Sequence, residues 1–309
     1  MSVKHKFITM MILLTVIAIT LSGCASAQQG KKIKLSEIDP TVGQTQSGSV
    51  DKPLRIAVAS VLSPKETVKS YNLFITYLQE KTGRKVQFLQ RQSYQEINDL
   101  IKNGEADLAI ICSGAYVAGQ QDAKIELLAV PEVNGKATYQ SFLIVSADSS
   151  YQTLKDLKGT TFAFTDPLSF SGRVAPSYML WQMKQTPETF FKRYIFTYSH
   201  DNSIRAVTDR VVDGAAVDSL VYHYALLDNP ELAQKIRVIG KSEEVGSPPV
   251  VVSADLDATL KEQLKAILLN MNRKPEGQEA LKPLSYEGFV EPLDKGYDPI
   301  RDMLAKMKG

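Results

Sequence analysis

The sequence predicts an α/β protein of two lobes joined by two chain crossings. Three observations carry that expectation. Short apolar runs of strand length alternate with amphipathic helical patterns. The alternation stops near residue 140, restarts, and ends near residue 246. The helical patterns begin and end with capping signals, so each is a bounded element.

The elements follow in order. Leu54 to Ala59 (LRIAVA) reads as a buried strand. Residues 65–82 read as a helix with Val68, Tyr71, Ile75 and Leu78 on one face, stopped by Gly83. Residues 85–89 form a second strand. Ser93 with Glu96 makes a capping box for a helix carrying Ile97, Leu100 and Ile101 and ending at Gly104. Residues 107–111 are a third strand, and the alternation predicts a parallel sheet. After the first crossing, 141–145 is a strand, 154–158 a short helix and 161–165 a strand. Residues 173–183 are helical, with Tyr178 and Trp181 available for packing. Thr186-Pro187-Glu188 starts another helix, with threonine at the cap and proline at the first position. Further strands are expected at 195–197, 215–217, 236–239 and 249–253. A helix from 258 to 271 uses Leu260, Leu264, Leu268 and Met271. Lobe 1 is therefore expected to combine residues 53–140 with 247–309, and lobe 2 to span 141–246. The crossings would act as a hinge, and a cleft between such lobes is where ligands bind.

The first 23 residues differ from the rest. Lys4 and Lys6 precede an uncharged, mostly apolar run from Phe7 to Leu21. At fifteen residues it falls short of the ~20 a spanning helix needs, and it reads as a secretory signal. Leu21-Ser22-Gly23-Cys24 resembles a bacterial lipobox, which implies cleavage before Cys24 and diacylglycerol on its sulfur. The protein is then expected outside the cytoplasm, held to a membrane by lipid. Residues 24–52, rich in Gln, Gly, Ser and Thr, read as a flexible tether. The second cysteine, Cys112, would lack a disulfide partner and behave as a small buried hydrophobe.

Composition narrows the function. With 44% hydrophobic and 23% charged residues the chain is of ordinary globular make-up. Losing residues 1–23 removes two lysines and no acid, leaving 34 basic against 34 acidic residues. That balance argues against nucleic acid as a partner. Any anion recognition must be local.

One loop has the chemistry for it. Phe164 to Arg173 reads FTDPLSFSGR, a strand end, an Asp-Pro turn and a helix start near Ser171. The first N–H groups of a helix lack intrahelical partners and sit at the positive end of its dipole. Two serine hydroxyls add donors, and Gly172 lets backbone come close. An oxyanion fits there. Serine at a helix start is also the commonest cap, and from composition alone the capping role is the stronger of the two.

The pattern Asp166-Pro167-x-Ser169-x-Ser171-Gly172, with Pro176 beyond, resembles the signature of the phosphonate-binding family of transporter-linked solute-binding proteins. Ser113-Gly114-Ala115-Tyr116, Ser199-His200-Asp201, Val212 to Val217, and Tyr297 to Arg301 agree in order and spacing across 53–305. The resemblance implies a type II periplasmic binding protein fold and an oxyanion site in the cleft. It also implies delivery to an ABC permease. By position, Ser169, Ser171 and the backbone of Phe170 and Gly172 would hold phosphoryl oxygens. His200 would donate from the next helix start, and Tyr94 and Tyr139 would close over the ligand. Two departures stand out. The family's middle threonine is Phe170. The acids that serve protonated or amino-bearing ligands align with Pro248 and Leu220, so the site should not prefer 2-aminoethylphosphonate. Asp218 is a candidate replacement acceptor. A fully charged anion, or one with an apolar substituent, suits these changes better.

Other functions are weighed against this one. A ligand-sensing adaptor of the same fold, serving a membrane receptor, would share every feature above. A serine hydrolase would need a Gly-x-Ser-x-Gly elbow, and Leu168 to Gly172 lacks the first glycine, so no enzyme activity is expected. Three histidines at scattered positions and no Cys or Asp cluster give no metal-ligand spacing, and no cofactor is expected. The protein is expected to act as a monomer.

Overall fold

In a computed structural model, residues 52–120 and 124–308 are described. The secretory segment, Cys24 and all but the last residue of the expected tether lie outside them.

Two open sheets and a small ribbon organise the chain. The first sheet is built from β1 (Leu54–Val58), β2 (Val86–Gln90), β3 (Leu108–Ile110), β4 (Ile125–Glu132), β12 (Val250–Ser253) and β13 (Gly288–Val290), in the order β13-β4-β12-β3-β1-β2. The second holds β6 (Ser141–Ser146), β7 (Thr161–Phe164), β8 (Arg193–Phe196), β9 (Gly214–Asp218) and β10 (Ile236–Lys241), in the order β10-β6-β9-β7-β8. Between them β5 (Thr138–Tyr139) pairs antiparallel with β11 (Val245–Gly246). The two crossings thus run side by side as a two-stranded ribbon.

The expectation of a parallel sheet holds for one end of each sheet. β1 pairs parallel with β2 and β3, and β7 with β8 and β9. The strands adjoining the crossings, β6 and β12, pair antiparallel with both of their neighbours. A chain that leaves one sheet and re-enters the other from the hinge side comes in against the βαβ direction. β4 and β13 escaped the sequence reading. β4 lies at the end of a poorly punctuated stretch, and β13 is three residues long.

Helices cover the sheets where the sequence put its apolar stripes. α1 (Pro64–Thr82) ends at Gly83 in the left-handed region, φ +68°, which glycine adopts without strain. Its buried face is Thr67, Ser70, Tyr71, Phe74, Tyr77 and Leu78, so Val68, expected inside, is half exposed. The true stripe runs through 67, 70, 71, 74 and 78, one residue away from the face centred on Val68. α2 (Tyr94–Lys102) starts with the expected Ser93–Glu96 capping box. α3 (Ser113–Gly119) follows β3 directly.

In the second lobe α4 (Ala175–Gln182) follows the serine loop. Trp181 there stacks on Tyr178 at 5.5 Å between ring centres but stays partly exposed. α5 (Pro187–Phe190) has the Thr186 cap and proline start that were expected. α6 (His200–Thr208), α7 (Ser219–Asp228) and α8 (Leu232–Lys235) complete the lobe. α9 (Ala258–Leu269), α10 (Pro275–Leu281) and α11 (Asp298–Lys308) return to the first sheet. Leu260, Leu264 and Leu268 of α9 are buried, as is Met271 beyond it, each side chain contributing ~1.5–3 kcal/mol of burial.

One apolar cluster crosses from lobe to lobe. It joins Tyr94, Ile97, Cys112 and Tyr116 of the first lobe to Phe170, Val174 and Ala175 of the second, with Tyr139 and Val245 from the ribbon. No described helix is long and apolar enough to cross a membrane.

Candidate functional site

The serine loop lies at that seam. Ser169 is the helix cap: its Oγ accepts the N–H of Gly172 at 2.9 Å. The helix that follows does not start as an ordinary α-helix. Val174 N–H reaches Ser169 O at 2.9 Å, and Ala175 N–H reaches Phe170 O, both five residues back. Phe170–Val174 is therefore a wide π turn, and α4 begins only at Ala175, after these five residues. Pro176 then sits within the first turn of α4, where its missing N–H costs little. Such wide turns gather at functional sites.

Gly172 is required by space. A Cβ there would lie 2.5 Å from Thr165 Cβ and Oγ1. From the facing lobe Gly114 presses on the same loop, where a Cβ would meet Leu168 O at 2.2 Å and Phe170 N at 2.7 Å.

The expected site residues are brought together, and all of them are buried. Tyr94 starts α2, Tyr139 lies in the ribbon, His200 starts α6 and Asp218 ends β9. The Tyr139 and Phe170 rings meet edge to face at 5.6 Å. The hydroxyls of Tyr94 and Ser171 are buried without a protein partner, as is that of Ser199, the residue before α6. Three neutral donors thus lie in or beside the seam with no bond to satisfy them, which is costly unless something else fills the role.

Two expected donors are already engaged. The N–H of Phe170 donates to Cys112 Sγ at 3.4 Å, and that of Gly172 to Ser169 Oγ. The loop therefore does not offer the free amides that a simple helix start would. A thiol is a weak acceptor, so the Phe170 amide is the more readily redirected of the two. The Phe170 side chain is fully buried in the inter-lobe cluster, contributing bulk rather than the hydroxyl of a threonine.

His200 is held in one tautomer. Its Nδ1 accepts the backbone N–H of Asp218 at 3.1 Å, with Thr165 Oγ1 also at 3.1 Å. The ring proton is then on Nε2. Burial lowers the imidazole to about 3, so it is a neutral donor at physiological pH. Asp218 caps α7, its Oδ1 accepting from Leu220 N at 2.6 Å and Val221 N at 3.3 Å. Burial pushes its carboxyl up to about 7. The nearest cation in sequence, Arg173, stacks its guanidinium on Phe164 at 4.4 Å. The groups gathered here are neutral hydroxyls and a neutral imidazole.

Sequence reasoning missed the bonds that shut the lobes. Asp166 Oδ2 accepts the Tyr94 amide at 3.0 Å. The His200 amide donates to Val61 O at 2.9 Å, and the Ser63 amide to Asp201 Oδ1 at 2.9 Å. Ser113 Oγ donates to Gly246 O at 2.7 Å, tying α3 to the ribbon. The Asp-Pro in the loop was a visible signal, but it read as a turn. Among the described residues there is no cluster of His, Cys, Asp or Glu able to hold a metal ion.

Comparison with known proteins follows the same lines. The family model described as ABC transporter, phosphonate, periplasmic substrate-binding protein matches residues 56–297. The phosphonates-binding periplasmic protein of Escherichia coli (strain K12) is 26% identical over 258 residues, covering 82% of this chain and 76% of that protein. The phosphate-import protein PhnD of Mycolicibacterium smegmatis is 27% identical over 260 residues, covering 80% and 78%. Among solved structures, a binding protein component of an ABC phosphonate transporter from Pseudomonas aeruginosa superposes with a TM-score of 0.78 at 25% identity, covering 84% of this chain and 87% of that one. The methylphosphonate complex of PhnD1 from Prochlorococcus marinus has a TM-score of 0.76 at 21% identity, covering 83% and 98%, and shows the shared two-lobed fold.

Proposed function

Since the chain belongs to the family of phosphonate-type periplasmic substrate-binding proteins of ABC transporters, we propose that it captures a phosphonate, phosphite or phosphate-like oxyanion in the seam between its lobes. The observation that carries this reading is the pair of buried, unpartnered hydroxyls of Ser171 and Tyr94 beside a neutral His200 locked with its proton on Nε2. Hydroxyl and imidazole donors make charge-assisted hydrogen bonds to the oxygens of a dianion.

Binding and closure are one event. Ser169, Ser171 and His200 belong to the second lobe, Tyr94 to the first, and Tyr139 to the ribbon. A ligand touching both faces binds the shut form more tightly than the open one and shifts the population toward it. The shut form, with its inter-lobe bonds made, is what an ABC permease would recognise. Asp218, capped and shared between β9 and α7, serves as a neutral wall group or acceptor. A lipobox cysteine at Cys24 supports a lipid-anchored, extracytoplasmic monomer tethered by residues 24–52. Cys24→Ser is expected to release the protein from membranes on fractionation.

Calorimetric titration with methylphosphonate, phosphite, phosphate and sulfate tests the ligand class. Saturable binding of at least one phosphorus oxyanion, above sulfate, is expected. Failure of all three to bind would overturn the assignment.

A further inference from the structure

Next to the residues proposed to hold the anion, the seam contains a chamber of about 70 Å³. Its walls include Val61, Leu62, Ile110, Leu220, Pro248 and Tyr286, so both lobes contribute. Two residues are shared between chamber and cradle. Val61 lines the chamber and accepts the His200 amide on its carbonyl at 2.9 Å. Asp218 lines the chamber and donates its amide to His200 Nδ1. Its carboxyl also acts electrostatically on the Tyr94 and Tyr139 hydroxyls on one side and on Tyr286 on the other. The chamber therefore adjoins the proposed anion site at Asp218.

The lining decides what fits. None of the six wall residues named carries a formal charge. The unpartnered Ser70 hydroxyl in the wall is neutral. Oδ1 of Asp218 is already taken by two amides. Burial favours the protonated carboxyl, and a neighbouring dianion favours it further. An ammonium group placed here would lose its hydration without gaining a full counter-charge. Methylene groups lose nothing and gain burial.

We propose that this chamber receives an apolar substituent carried on the phosphorus of the ligand. The preferred substrates are then alkyl- or small arylphosphonates, and aminoalkylphosphonates are disfavoured. This rests on the reading that the cradle holds the phosphonate head group.

The test is a calorimetric series on the purified protein with phosphite, methyl-, ethyl-, propyl- and phenylphosphonate, and 2-aminoethylphosphonate. Propyl and aminoethyl chains have the same length and differ in charge. The expected result is about fourfold tighter binding per added methylene from methyl to propyl. Propylphosphonate is expected to bind at least tenfold more tightly than its amino counterpart. A flat or falling series, or tighter binding of the amino compound, while phosphite and methylphosphonate still bind, would overturn the chamber proposal and leave the cradle reading standing. If no compound binds, both fall. Leu220→Glu, checked for folding by circular dichroism, should shift the propyl-to-aminoethyl ratio tenfold or more toward the amine. An unmoved ratio in a folded variant would count against the chamber.

Discussion

The buried carboxylate of Asp166 accepts the backbone N–H of Tyr94 at 3.0 Å, while its other oxygen accepts the N–H of Leu168 at 2.8 Å. One side chain of the second lobe thus caps the first turn of α2 in the first lobe and braces its own serine loop. The negative group sits at the positive end of α2. Cradle geometry and lobe closure are coupled through this residue. In the shut state Asp166→Ala strips a buried amide of its acceptor, which costs about 1–3 kcal/mol. The expected outcome is a tenfold or greater loss of ligand affinity and a larger radius of gyration in small-angle scattering. Asp166→Asn keeps an acceptor without the charge and should fall between the two. Unchanged affinity in the alanine variant would uncouple this bond from binding.

The two serines of the loop should separate stability from binding. Ser169 Oγ satisfies the Gly172 amide at 2.9 Å, so Ser169→Ala is expected to lower stability by about 1 kcal/mol as a lost cap. Ser171 Oγ is buried with no protein partner, so Ser171→Ala should leave the ligand-free protein no less stable and up to about 1–3 kcal/mol more stable. Affinity for the oxyanion should nevertheless fall at least tenfold in Ser171→Ala. Urea unfolding beside calorimetry checks both halves. A Ser171 variant that loses stability and keeps affinity would assign that hydroxyl to packing.

The elements with strong local signals were legible in the sequence. The capping box at Ser93, the left-handed stop at Gly83 and the Thr186-Pro187 start all appear where residue chemistry put them. Local chemistry could not give strand direction, because β6 and β12 owe their antiparallel pairing to the return of the chain across the hinge. It could not give the π turn at Phe170–Val174, whose residues also suit an α-helix. The neighbourhood of Cys112 was equally hidden. A lone cysteine reads as a small hydrophobe, and only the fold sets its sulfur 3.4 Å from the Phe170 amide. The serine loop was legible as a motif, but the long-range bonds from Asp166 and Val61 that hold it in a shut seam were not.

Gly114 supplies a steric test of closure. It belongs to the first lobe, yet a Cβ there would sit 2.2 Å from Leu168 O and 2.7 Å from Phe170 N, both backbone atoms of the facing loop. Neither can rotate away as a flexible side chain could. The lobes can relieve the clash only by parting, which breaks the Asp166–Tyr94 bond at the same time. Gly114→Ala is expected to keep each lobe folded, shift scattering toward an open form, and reduce ligand affinity by tenfold or more. Normal affinity in this variant would mean that the lobes need not meet at this point to bind.

Asp218 should write its burial into the pH dependence of stability. Burial raises its carboxyl from 3.8 to about 7 in the folded protein, because desolvation outweighs the two capping amides from Leu220 and Val221. For an acid raised on folding, the folded state binds the extra proton. The stabilising contribution is complete below pH 3.8, declines as pH rises, and is lost above about 7. Asparagine also caps helices and stays neutral throughout. Asp218→Asn should therefore match wild type near pH 4 and become the more stable of the two by pH 8, by an amount on the order of 2–4 kcal/mol. Urea unfolding of both proteins at half-unit intervals between pH 4 and 8 gives the difference curve. A difference that does not change with pH would show that the carboxyl titrates alike in the folded and unfolded chain, and would remove the neutral wall that the chamber beside the cradle requires.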